Sequence, residues 1–87
     1  MSSYVNVMED LVEESYENVK NTLNCCQCET CHNDVIACAL NMLPPKYVVL
    51  EERDVYSKNY ILKNRMMADI MSALVKAADI VSKNPHH

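Results

Sequence analysis

A small all-α domain of three helices, with room for short extra helices, stapled by zinc, is the architecture this sequence predicts. Three observations carry that reading. The chain of 87 residues contains no Gly, and tight hairpins commonly need a residue at positive φ, while its Ala, Met, Leu, Glu and Lys favour helices. Apolar residues recur at helical spacing over two long stretches. Four of the five Cys fall between Cys25 and Cys31, and a chain this short buries only roughly 60 to 65% of its unfolded surface, so a staple is needed. Residues 1–87 are read as one domain.

The first helix is predicted over about Ser3 to Leu23. Val5, Met8, Leu11, Val12, Val19 and Leu23 form its apolar stripe, Glu9, Asp10, Glu13, Glu14 and Glu17 lie mostly off it, and Ser2 or Ser3 supplies the cap. The acidic run reads as a solvated face. After the cysteines, Val35 to Leu43 is apolar almost all round and predicts a short buried helix, capped by Asn33 or Asp34 and stopped by Pro44-Pro45. Lys46-Tyr47-Val48-Val49-Leu50 reads as extended, but no second strand-like run offers it a partner, so a sheet is not expected. Glu51 to Ser57 reads as a polar connection. The last helix, about Ser57 to Ser82, places Met67, Ile70, Leu74, Ala77 and Val81 on a seam sustained over two heptads, with Ala73 and Ala78 admitting another backbone closely. That seam is either the domain core or an interface between two copies.

Charge narrows the partners. The formal net charge is −4, divided into −6 over residues 1–45 and +2 over residues 46–87. Non-specific nucleic-acid binding rests on clustered positive charge and is disfavoured. No apolar run approaches the ~20 residues of a bilayer span and no signal peptide is present, so a cytoplasmic protein is expected. In a reducing compartment, clustered thiols serve metal or redox work rather than structural disulfides.

Cys25-Cys26-Gln27-Cys28-Glu29-Thr30-Cys31 holds one C-x-C and one C-x-x-C step. Tetrahedral zinc with Zn–S bonds near 2.3 Å needs its sulfurs within roughly 4 Å of one another, which Cys28 and Cys31 meet and Cys26 can join. Cys38 lies seven residues past Cys31, about 10.5 Å along a shared helix, and reads as a small core hydrophobe. Cys25 is adjacent to Cys26, and neighbouring residues rarely converge on one ion, while His32 turns about 100° away from Cys31. The fourth ligand expected here is His86, brought back by an up-down-up arrangement; His87 and a disordered terminal pair are the alternatives. A thiol redox role for Cys25-Cys26-x-Cys28 is the competing chemistry. No catalytic triad, phosphate loop or H-E-x-x-H is present, and a zinc closed by protein ligands keeps no open position, so the chain reads as a non-enzyme.

The stretch Cys26-x-Cys28-x2-Cys31-x-Asn33-Asp34-Val35-x-Ala37-x-Ala39-Leu40-Asn41-x-Leu43-Pro44-Pro45-x-Tyr47-Val48 resembles the signature of the late competence development protein ComFB family, and Asn6-Val7-Met8-Glu9 with the third helix fits its length and order. The resemblance implies a small helical, zinc-binding, homodimeric bacterial protein linked to competence and DNA-uptake genes. It also implies kinship with cyclic dinucleotide receptors tied to motility and type IV pili. The family's shared cysteines map onto Cys26, Cys28 and Cys31; Cys25 and Cys38 are extras, and its fourth ligand does not map cleanly.

Three residues near the double proline are candidate contacts for a cyclic dinucleotide such as c-di-GMP or c-di-AMP: Lys46 and Tyr47 for a phosphate and a base, with Arg53 nearby. The plainer reading, favoured because a bis-phosphate normally recruits Arg and only Arg53 and Arg65 are available, has Tyr47 in the core and Lys46 in solvent. An unidentified protein partner completes the expectations, for a non-catalytic regulatory or adaptor role.

Overall fold

A computed structural model describes residues 3–23, 25–57 and 60–83, apart from the side chains of 56–63. In order these form strand β1 (Tyr4–Asn6), helix α1 (Val7–Val19), a 3-10 turn (Lys20–Thr22), helix α2 (Glu29–Met42), strand β2 (Tyr47–Val49), a second 3-10 turn (Leu50–Glu52), the short helix α3 (Arg53–Ser57) and the long helix α4 (Tyr60–Lys83). Helices dominate, as predicted, with a small sheet that was not.

The N-terminus departs first from expectation. Tyr4, Val5 and Asn6 do not begin the helix; they pair antiparallel with Val49, Val48 and Tyr47. The residue that caps α1 is Asn6, whose Oδ1 accepts from the Met8 amide at 3.1 Å. Ser3 lies before β1, where its carbonyl accepts from the Leu50 amide at 2.9 Å. Ser2 is outside the described residues. A helical stripe that includes Val5 also reads as a strand over three residues, and only a distant pairing partner separates the two. Asn6 secures the junction again by accepting from the Lys46 amide at 2.8 Å, and the Val7 amide donates to the Lys46 carbonyl at 2.8 Å.

The second correction lengthens α2. It starts at Glu29, capped by Cys28, so Asn33 and Asp34 lie inside the helix rather than at its cap. It ends as predicted, at Met42 just before Leu43-Pro44-Pro45. The segment 50–57, expected as a plain connection, winds into a 3-10 turn and α3, which packs against α1.

The core lies among α1, α2 and α4. Met8, Leu11, Val12 and Tyr16 face Cys31, Val35, Ile36 and Ala39 of α2 and Ile70, Leu74 and Val81 of α4. The α2–α4 contact is the most extensive, and the buried Ala39, Ala73, Ala77 and Ala78 explain why: without bulk beyond Cβ, the helices approach closely. The predicted seam is therefore the core of the chain itself at Ile70, Leu74, Ala77 and Val81. Met67 leaves it, with Met66 packing against the core instead; Met67 stays 39% exposed and its Sδ accepts from the buried Ser15 hydroxyl at 3.9 Å. Among the described residues no helix is long and apolar enough to cross a membrane.

Candidate metal centre

The cysteine loop is tethered at both ends before any ion is considered. After the 3-10 turn that closes α1, the Cys25 amide donates to the Leu23 carbonyl at 2.9 Å. Gln27 Nε2 reaches back to the Lys20 carbonyl at 3.3 Å and to Asn21 Oδ1 at 3.1 Å. Cys28 then starts α2, its carbonyl accepting from the His32 amide at 2.8 Å. A thiol takes the place of the usual Ser or Asp cap: Cys28 Sγ accepts from the Cys31 amide at 3.5 Å, and Cys26 Sγ accepts from the Cys28 amide at 3.4 Å.

This brings Cys26, Cys28 and Cys31 together, their Sγ atoms all within 4.8 Å of one another. Three sulfurs about a tetrahedral zinc sit roughly 3.8 Å apart, given Zn–S bonds of about 2.3 Å, so a contraction of about 1 Å suffices. The donor set fits a soft or borderline divalent ion. Cys26 and Cys28 are exposed while Cys31 is buried, so an ion held here would sit at the surface with one ligand in the core.

Without a cation the Cys28 and Cys31 thiols are shifted in opposite directions. The Cys31 amide, and then the Cys26 side chain, pull the Cys28 thiol below the ordinary range. Burial, followed by the neighbouring Cys28 and Cys26 sulfurs, pushes Cys31 up to about 12. A divalent ion reverses the second effect, since it attracts the charge that burial penalises. The three cysteines could hold a metal ion.

The other candidates fall elsewhere. Cys38 shares α2 with Cys31 and packs, half-buried, against the core, as Cys25 does. His32 turns to α1, where its Nε2 lies 3.0 Å from Glu13 Oε2 and its ring stacks on Tyr16 at 4.8 Å between centroids and 27° between planes. Burial, with the Cys25 sulfur nearby, raises Tyr16 above the usual tyrosine range. The Glu13–His32–Tyr16 contact escaped sequence reasoning because nineteen residues separate Glu13 from His32 and no local pattern links them. His86 and His87 lie outside the described residues, and among those described no fourth Cys, His, Asp or Glu joins the three sulfurs.

The residues named for a cyclic dinucleotide lie at the opposite end of α1. Tyr47 and Arg53 share a cleft of ≈ 320 Å³ with Tyr4, Asn6, Glu9 and Asp10; Lys46 is exposed beside it but does not line it. Tyr47 is not in the core. It is 60% exposed, its ring edge-to-face with Tyr4 at 6.0 Å, which overturns the expectation that it packs inside: β2 turns Val48 inward and so must turn Tyr47 outward. Arg53 forks onto Asp10, Nε to Oδ2 and Nη2 to Oδ1 both at 2.8 Å. That guanidinium holds the Asp10 carboxyl below its usual range. A phosphate would have to displace Asp10 to gain Arg53, with Glu9 also in the cleft.

Three helices around a shared core, a two-stranded ribbon at one end and a three-cysteine knuckle opening the second long helix define a small helical domain with a cysteine cluster that could hold a metal ion. The late competence development protein ComFB family model matches residues 5–85, and the chain belongs to that family. It is 29% identical to the competence protein ComFB of Bacillus subtilis (strain 168) over 82 residues, which covers 93% of this chain and 84% of that relative. The solved structure of the late competence protein ComFB from Bacillus subtilis superposes with a TM-score of 0.82, covering 94% of this chain and 93% of that one at 29% identity.

Proposed function

We propose that this protein is a non-catalytic regulatory or adaptor module in competence, its fold fastened by zinc held on Cys26, Cys28 and Cys31. The observation that carries this is the convergence of three sulfurs within 4.8 Å at the junction of α1 and α2, one of them in the core. Zinc bound there supplies folding free energy rather than reactivity, because the site hardly exists in an unfolded chain. His86 is the fourth ligand we propose, and the working form is a cytoplasmic homodimer. Membership of a family described by late competence development supports the biological setting.

The test is elemental analysis of the untagged protein, with helicity measured before and after chelation. About one zinc per chain, and helicity that falls when the metal is removed and returns with it, is expected. Metal-free protein with full helicity overturns the reading. Replacing His86 by Ala should weaken zinc retention against a chromogenic chelator; unchanged retention would assign the fourth position elsewhere.

A further inference from the structure

Four of the large apolar side chains exposed among the described residues lie together at one end of the molecule. Tyr4, Tyr47, Val49 and Leu50 are between 44% and 62% exposed. Their clustering follows from the ladder: Tyr4 lies opposite Val49, and with period-two alternation Tyr4, Tyr47 and Val49 share the face that Val48 does not. The Leu50 amide, bonded to the Ser3 carbonyl at 2.9 Å, keeps Leu50 beside Tyr4. A contiguous apolar face of this kind marks an interaction surface more often than scattered apolar residues do. No third strand pairs with β1 or β2 among the described residues, and a two-stranded ribbon is a template for another strand.

Charge selects the occupant. Glu9 and Asp10 line the cleft at the foot of this face, and Glu51, Glu52 and Asp54, all exposed, follow Leu50 along the chain. These five carboxylates outnumber the two described cations there, Lys46 and Arg53, and Arg53 is already paired with Asp10. A second copy docking here about a two-fold axis would press one acidic rim against the other.

We infer that the outer face of the β1–β2 ribbon and its acidic cleft form a docking surface for an extended protein segment in which apolar residues alternate with Lys or Arg. The apolar side chains lie on Tyr47, Val49 and Tyr4, and a cationic side chain enters the cleft between the Tyr4–Tyr47 pair and Glu9. The inference rests on the adaptor reading and gives its partner a chemistry. A homodimer then pairs through a different face.

The test uses the full chain in its metal-bound form, with metal content and melting temperature followed throughout, so that loss of the zinc-fastened fold is told apart from loss of docking. The probes are a short fluorescent peptide alternating Val and Lys, and its counterpart alternating Val and Glu, read by anisotropy. The Val-Lys peptide should bind at least about tenfold more tightly, and binding should weaken as salt is raised. Tyr47→Glu, and separately the pair Glu51→Lys with Glu52→Lys, should each weaken it about tenfold with melting unchanged. Equal affinity for both peptides, or binding that ignores all these substitutions, overturns the inference. So does a dimer that Tyr47→Glu dissolves in sedimentation and that excludes the peptide, because a second copy would then be the occupant.

Discussion

The two ends of α1 are organised on different principles. At its C-terminal end, Cys26, Cys28 and Cys31 converge in a set that could hold a metal ion, and burial pushes the Cys31 thiol up to about 12. At its N-terminal end the side-chain ties are made within the chain: Asn6 caps the helix and holds Lys46, Arg53 forks onto Asp10, and β1 pairs with β2. The first end gathers three thiols at the surface of the core, whereas the second keeps exposed apolar surface. In a domain this small, that contrast separates the end proposed to fasten the fold from the end proposed to meet a partner.

The comparison breaks most readily at the cysteines. Cys31→Ser should abolish tight metal binding and lower the melting temperature by more than about 15 °C, because a structural metal is worth more than any single packing contact. Calorimetry with metal analysis checks it, and a metal-retaining variant of unchanged stability would show that the knuckle does not fasten the fold. Next comes the core that both ends share. Leu74 is fully buried, and Leu74→Ala should cost about 2 to 5 kcal/mol in chemical denaturation.

At the other end the effects shrink. Asn6→Ala removes the cap of α1 and the tie to Lys46 together, for about 1 to 2 kcal/mol; a cost as large as that of Leu74→Ala would mean the ribbon, not the core, organises the fold. Asp10 titrates below its unfolded range because of Arg53. Its contribution is therefore present above the ordinary carboxylate pKa, near 3.9, and lost as pH falls through the lower folded value. Solvent screening keeps it below about 1 kcal/mol. Asp10→Asn should flatten that acid limb of the stability curve without moving the neutral plateau by more than that amount, as denaturant midpoints from pH 2 to 7 would report. Smallest of all, Tyr47→Ala should change stability by less than about 0.5 kcal/mol, since its ring is mostly in solvent.

Local chemistry made much of this legible. The C-x-C-x-x-C spacing identified the three sulfurs that converge, and helical arithmetic set Cys38 and His32 aside, because the first argument needs only metal–sulfur bond lengths and the second only the rise and pitch of a helix. Pro44-Pro45 stopped α2 where they must, and Ile70, Leu74, Ala77 and Val81 named the buried face of α4. Cys28 as a cap was not legible: thiols are poor cap candidates by type, and the Cys31 amide selects this one through the knuckle itself. Glu13 with His32, and Asp10 with Arg53, carry no local signature either.

By itself the sequence determined that three long helices form, much of their core faces and the convergence of the cysteine triad, since each follows from residue type and a spacing of a few positions; α3 was not among them. Tertiary structure decided that Tyr4–Asn6 is a strand, that Asn6 and Cys28 are the caps, and that Tyr47 faces solvent. Pairing between segments some forty residues apart costs loop-closure entropy that only the assembled core offsets, and no short window of sequence contains that balance.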